Sequence, residues 1–288
     1  MRIIAFRNAQ GRPALGVRSG QELVDITALG LPETLDELLA QGPHGLRAAQ
    51  QAAATASERL PLQGLQILPP VLNPSKAFAI GLNYVDHAAE SHFDLPQHPV
   101  IFQRYASSWV AHGQALERPP VSTQFDYEAE LVAVIGKAGR YIDKACALEH
   151  VAGYSLFNDG SVRDYQVRSA QWLWGKNFDR SGSFGPEFVT ADELPPGAAG
   201  LRIQCRLNGQ VMQDANTRDM IFDVATLVAA CSQGMALQPG DIIITGTPSG
   251  VGLARSPQVW MKAGDVCEVE VERIGLLRNP VIDAPALD

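Results

Sequence analysis

The chain has 288 residues, 46% of them hydrophobic, enough to bury a sizeable core in one large domain or two unequal ones. Its formal net charge of -8 argues against nucleic acid or an anionic membrane as a partner, and no apolar run reaches the length of a transmembrane helix. Cys146, Cys205, Cys231 and Cys267 stand far apart without a Cys-x-x-Cys pair, and the opening Met-Arg-Ile-Ile-Ala-Phe-Arg-Asn lacks the apolar core of a signal peptide, so buried thiols and a cytoplasmic location are expected.

In chain order, residues 1–6, 14–17 and 22–26 read as short strands, and 32–40 and 46–60 as helices. Pro61, Pro69, Pro70 and Pro74 then break the chain, which cannot continue there as helix or central strand. This divides it into a small N-terminal α/β unit with its linker, residues 1–71, and a larger domain, residues 72–288. The larger domain reads as mostly β, with strands at 77–80, 100–102, 129–135, 201–207, 241–245 and 266–271. Helices are expected at 84–91, 147–151, 161–169 and 219–233. The last has the clearest helical period, with Ile221, Val224, Ala225 and Val228 on one side.

Residues 125–135, Phe-Asp-Tyr-Glu-Ala-Glu-Leu-Val-Ala-Val-Ile, place Glu128 and Glu130 at the head of a run that is apolar at odd and even positions. That is the pattern of a strand covered on both faces. Side chains two apart point the same way, so both glutamates share a face with Val132 and Val134. Like charges there must share a proton or hold a cation. Glu268, Glu270 and Glu272 repeat the Glu-x-Glu spacing but alternate strictly with apolar residues, as a solvated strand face does. Asp159, in a Phe-Asn-Asp-Gly-Ser turn, is a third candidate ligand, although Asp159 or Ser161 could equally cap a helix.

Other motifs can carry chemistry. His87 and Glu90 are three apart on a short helix, a spacing that suits a carboxylate-oriented general base or an exposed ion pair. Arg163 and Gln166 have the same spacing and can face an anionic ligand, while an internal ion pair suits Arg163 as well. Lys176, among Trp172, Trp174 and Phe178, is an electrostatic anchor, a lysine of lowered pKa, or a surface side chain. Gly182, Gly185 and Pro186 then suggest a loop. Residues 241–252 read as a strand entering a glycine-rich turn without the lysine of a phosphate loop. Its backbone N–H groups suit a carboxylate or oxyanion, or only a tight turn.

Taken in order, these segments resemble the fumarylacetoacetate hydrolase family, in its bacterial branch with a short N-terminal domain. The likeness covers roughly residues 72–281 through five motifs: Gly81-Leu82-Asn83-Tyr84 to Glu90, Tyr127 to Leu131, Asn158-Asp159 to Gln166, Gly175-Lys176 to Gly185-Pro186, and Thr245-Gly246-Thr247-Pro248 to Gly252. The resemblance implies an α+β, β-rich fold. This is a mixed β-sandwich roll with flanking helices behind a small α/β N-terminal domain, assembled as a homodimer with Mg²⁺ or Mn²⁺. Its metal-ligand positions match Glu128, Glu130 and Asp159, and its water-activating pair matches His87 and Glu90. Its substrate-contacting positions match Gln166 and Lys176, and its glycine–threonine turn matches Gly246 and Thr247. Arg163 stands where arginine is common. Arg104 stands where lysine is common, and would bring a planar bidentate donor to substrate. Trp172 and Trp174 are bulky for a loop beside the site and would shape the pocket toward a particular acyl group.

The chemistry this implies is hydrolysis of a carbon–carbon bond in a 1,3-diketo acid. The substrate would be an acylpyruvate such as maleylpyruvate or fumarylpyruvate from aromatic-ring degradation, or a 2,4-diketo sugar acid. His87, oriented by Glu90, would activate water, while Lys176, Gln166 and the turn at Gly246 and Thr247 steady an oxyanion. An isomerase, hydratase or oxaloacetate-type decarboxylase on the same metal is the alternative. A non-catalytic binder of small anionic oxo-acids is the third reading.

Overall fold

A computed structural model describes residues 1–90 and 95–285 of the chain. Strands β1 (Arg2–Arg7), β2 (Pro13–Ser19) and β3 (Glu22–Asp25) lead into helices α1 (Leu35–Ala40) and α2 (Pro43–Thr55) and the short β4 (Leu60–Pro61). Past the prolines come β5 (Ala77–Gly81), α3 (Val85–Glu90), β6 (Val100–Gln103), β7 (Trp109–Val110), β8 (Leu116–Arg118), β9 (Phe125–Asp126), β10 (Ala129–Ile135) and β11 (Val151–Asn158). Next are β12 (Ser161–Val162), α4 (Arg163–Gln166), α5 (Leu173–Lys176), β13 (Gly182–Thr190), β14 (Arg202–Leu207) and β15 (Gln210–Asn216). The chain closes with α6 (Val224–Gly234), β16 (Ile242–Ile244), β17 (Val266–Val271) and β18 (Gly275–Asp283).

Among the described residues, the larger sheet has 11 strands in the order β4-β3-β2-β1-β13-β11-β10-β16-β5-β6, with β7 beside β13. A second sheet of 5 strands, β15-β14-β17-β18-β8, packs against it. Strand β10 lies between the layers and is buried at every position. Leu131, Ala133 and Ile135 join Ile203, Cys205, Val269 and Val271 in the core between the sheets. Val132 and Val134 point the other way, into a core with Leu35, Leu38, Phe184 and Phe188. This two-sided burial accounts for the apolar run at both parities. The fold is α+β and strand-rich, as expected. The N-terminal strands extend the same sheet, because β1 pairs with β13 through Arg2↔Val189 and Ile3↔Phe188.

Several local expectations change. Gly182–Thr190 is a strand inside the larger sheet, where the glycines and proline had suggested a loop. A side chain at Gly182 would put its Cβ 2.5 Å from Nη2 of Arg104, so the glycine serves close packing. Pro186 falls where the ladder with β11 is interrupted, between Tyr154↔Val189 and Leu156↔Gly185, and its missing N–H costs no bond there. The helix expected at 147–151 is a 3₁₀ stretch, Lys144–His150, after which β11 begins. The helix expected at 219–233 starts only at Val224, where the Asp223 side chain accepts from the Thr226 N–H. The helix at 84–91 is α3, and Ser91 lies outside the described residues. Cys146 is exposed, while the other three cysteines are buried as expected.

The pairing pattern gathers the motifs. Strand β10 runs antiparallel to both β11 and β16, with Ala129↔Asn158 and Val132↔Ile244 as partners. Strand β16 runs parallel to β5, with Ile244↔Ala79. The beginning of β10 therefore meets the ends of β11, β16 and β5 along one edge. Glu128–Glu130, Asp159, the 246–252 turn and the approach to α3 all emerge there.

Candidate active site

Glu128 precedes β10, Glu130 is its second residue, and Asp159 follows β11. Backbone bonds lock the first and last together. The Glu128 N–H donates to Asn158 Oδ1 at 3.0 Å, and the Asp159 N–H donates to the Glu128 carbonyl at 2.9 Å. Oxygens of the three carboxylates lie within 4.8 Å of one another, and all three residues are buried.

Positive charge surrounds this cluster. Lys176 Nζ lies 2.7 Å from Glu128 Oε2 and 2.7 Å from Asp159 Oδ2. Arg163 reaches Glu128 Oε1 with Nη1 at 2.7 Å and Asp126 Oδ2 with Nε at 2.8 Å. Arg104 Nη1 lies 2.5 Å from Asp159 Oδ1. Glu130 makes no ion pair among the described residues; its Oε2 accepts from the Gly246 N–H. Asp126, Glu128, Glu130 and Asp159 thus face Arg104, Arg163 and Lys176, leaving one carboxylate uncompensated.

The titration directions follow. Burial first, then the charges of Asp159 and Glu128, pushes the Glu130 carboxyl well above its usual range. Burial alone would raise Glu128 too, but the Lys176 ammonium and the Arg163 guanidinium outweigh it and hold that carboxyl below its usual range. A surplus negative charge and an all-oxygen donor set fit one hard divalent cation held by Glu128, Glu130 and Asp159.

The cluster forms part of the wall of a cavity of about 370 Å³. His87, Glu90, Arg163, Gln166, Lys176 and Thr247 line it as well, together with apolar Ile80, Phe102, Trp172 and Val251. His87 Nδ1 is 2.9 Å from Glu90 Oε1. The Gly250 N–H donates to both Glu90 oxygens, at 3.1 and 2.9 Å, so the glycine turn fixes the carboxylate that fixes the ring. No other described residue bonds the imidazole, which leaves Nε2 for the cavity.

The expected site residues fall into two groups. His87, Glu90, Gln166, Lys176, Arg163, Thr247, Glu128 and Glu130 meet on the cavity wall. Asp159, Arg104 and Gly246 stand behind it. Arg104 is fully buried and spends its donors on Asp159, Gly160, Ser108 and Ser181. The Gly246 N–H is committed to Glu130, and the Thr247 hydroxyl donates to the Ala129 carbonyl while accepting from Gln213. Trp172 lines the cavity, whereas Trp174 is 65% exposed.

Asp126 was not singled out from the sequence. It is fully buried and accepts from the backbone of Gly252 and Leu253 as well as from Arg163. The signal was the unbroken Asp-x-Glu-x-Glu spacing of Asp126, Glu128 and Glu130. The glutamates of β17 behave as a solvated face: Glu268 and Glu270 pair with Arg206 at 3.1 and 2.7 Å on half-buried ground.

Residues 76–282 match the family model described as fumarylacetoacetate (FAA) hydrolase C-terminal. The chain belongs to the fumarylacetoacetate hydrolase family. Among similar proteins, oxaloacetate tautomerase FAHD2A, mitochondrial, of Homo sapiens is 40% identical, over 98% of this chain and 92% of that one. The solved structure of maleylpyruvate hydrolase from Sphingobium sp. SYK-6, in complex with manganese (II) ion and pyruvate, is 31% identical with a TM-score of 0.83. That of 5-carboxymethyl-2-hydroxymuconate delta-isomerase from Mycobacterium smegmatis is 30% identical with a TM-score of 0.78. Both likenesses cover 99% of this chain and 100% of the other. Animal and bacterial family members match over nearly the whole length, so no single branch is marked out. The named members are enzymes: hydrolases, isomerases and tautomerases. The human relative is named mitochondrial, where the sequence led to a cytoplasmic expectation. No described helix is long and apolar enough to cross a membrane.

Proposed function

We propose that this family member is a divalent-metal-dependent tautomerase that interconverts the enol and keto forms of a short 2-oxo acid of the oxaloacetate type. The reading is carried by one observation: the buried triad of Glu128, Glu130 and Asp159 adjoins a cavity into which the Glu90-oriented His87 faces. Likeness to an oxaloacetate tautomerase at 40% identity supports it. Mg²⁺ or Mn²⁺ held by the triad would act as a Lewis acid on the oxo acid and acidify its neighbouring C–H. Lys176 and Gln166 hold the substrate's anionic end, the lysine through the ammonium hydrogen not used by Glu128 and Asp159. His87 Nε2 moves the proton between carbon and the enol oxygen. Its bond to Glu90 fixes the ring's orientation and tautomer.

With Mg²⁺ or Mn²⁺ the protein should speed the decay of oxaloacetate enol absorbance with no change of mass, and a chelator should stop it. His87→Ala should lower that rate roughly 10²- to 10⁴-fold while Mn²⁺ still binds. Joint loss of rate and metal would instead put His87 in the coordination shell.

A second reading, hydrolysis of an acylpyruvate, is favoured by the same His87–Glu90 pair, since a fixed imidazole base also suits activation of water. The likeness to maleylpyruvate hydrolase supports it. Product analysis separates the readings: hydrolysis yields pyruvate and a second acid, and decarboxylation yields CO₂. Homodimer assembly, implied by the family resemblance, and a cytoplasmic location, expected from the sequence, stay part of the proposal.

A further inference from the structure

Helix α5 ties two cavity residues together. Lys176 reaches Glu128 and Asp159 at 2.7 Å, and Trp172, one helical turn earlier, lines the same cavity. The turn closes where the Gly175 N–H donates to the Trp172 carbonyl at 3.1 Å. Gly175 is itself pressed against α4, since a Cβ there would stand 2.3 Å from the Gln166 nitrogen. The indole lies on Gly81 at the end of β5, where an added Cβ would meet its Cζ3 at 2.1 Å. It also meets Phe102 edge-to-face, at 5.9 Å between centroids and 68° between planes. Phe102 in turn faces Lys176 Nζ, 5.4 Å from its ring centre.

The charged and hydrogen-bonding groups of the cavity gather at the carboxylate cluster and claim the oxo-acid end of a substrate. The aromatic wall of Phe102 and Trp172 is what meets the substituent beyond it. At about 370 Å³ the cavity lies toward the small end of the roughly 300–1,000 Å³ usual for ligand pockets. The missing side chain of Gly81 lets the largest side chain in the protein lie back on the strand instead of filling that space.

We propose that Trp172, seated on Gly81, sets the size of the acid this site accepts. A long or branched substituent presses on the indole, so the site favours 2-oxo acids with short substituents over acylpyruvates with long or branched acyl groups. The inference rests on the oxo-acid reading of the site and names its substrate class. Trp172 acts on specificity and not on the proton transfer.

The test is binding, by calorimetry with Mn²⁺ present, of a graded series from pyruvate to 2-oxooctanoate to the wild type and three variants. Trp172→Ala should gain about tenfold or more in affinity for the longest acid while pyruvate changes by less than about twofold. Trp172→Phe should fall between, and serves in its place if the alanine variant does not fold. Gly81→Ala should drive the indole into the cavity and shift the long-to-short ratio the opposite way. An unchanged ratio in the Trp172 variants, or an equal loss for every acid, overturns the proposal. If no acid binds the wild type, the oxo-acid reading fails and takes this proposal with it. Graded binding without turnover sinks the tautomerase reading alone and leaves the size limit standing.

Discussion

Arg104 holds Asp159, a candidate metal ligand, in place without reaching the cavity. Its guanidinium bonds Asp159 Oδ1, the Gly160 and Ser108 carbonyls and the Ser108 hydroxyl at once, which a lysine ammonium cannot span. Burial lowers its pKa against the opposing pull of Asp159. Arg104→Lys should therefore weaken Mn²⁺ binding about 10- to 100-fold and leave the KM for substrate near the wild-type value at saturating metal. A raised KM at saturating Mn²⁺ would return Arg104 to substrate contact. The cysteines offer a pH test. Burial pushes the Cys231 thiol from 9.0 up to about 12. Above pH 9 the unfolded chain loses a proton that the folded chain keeps. This contribution to stability is whole below pH 9 and falls by about 1.4 kcal/mol per pH unit as pH rises toward 12. Urea midpoints between pH 8 and 11 measure the slope, and Cys231→Ala should make it shallower while the buried Cys205 thiol keeps its own share.

At the scale of elements, legibility tracked how local the determinant was. Strand β10 was readable to the residue because a strand buried on both faces leaves its mark in composition alone. The β17 alternation was readable for the converse reason: one of its faces is wet. Strand β13 was not, because its glycines and proline answer to partners distant in sequence: Gly182 to Arg104, and Pro186 to a break in the β11 ladder. The pairing of β1 with β13 left no trace in either segment. In the site, residue types and spacing pointed to the three carboxylates and to the His87–Glu90 pair. The separate tasks of Arg104, Gly246 and Asp126 were hidden, since a sequence does not show which polar group stands in front of another. Trp172 and Trp174 looked alike, and only the short turn of α5 sends one into the cavity and the other to solvent.

Across the whole molecule, the site exists only where sequence-distant strands are in register. The Gly246 N–H and the Glu130 carboxylate it holds are separated by 116 positions. Because successive side chains alternate faces, a slip of β10 by one residue would turn Glu128 and Glu130 toward the inter-sheet core and Tyr127 and Ala129 toward the cations. The β10–β11 hairpin brings the three carboxylates together, but Gly246, Arg104, Arg163 and Lys176, which orient and balance them, come from other segments. A cation that recognises only the finished edge stabilises the native state without helping the chain reach it. Stopped-flow refolding should then run at the same rate with Mg²⁺ or chelator, while unfolding slows as the ion saturates. Faster refolding with the ion would mean that the edge forms early. On that outcome the meeting of strand ends would give a bound ion control over how long the fold lasts, and none over how quickly it forms.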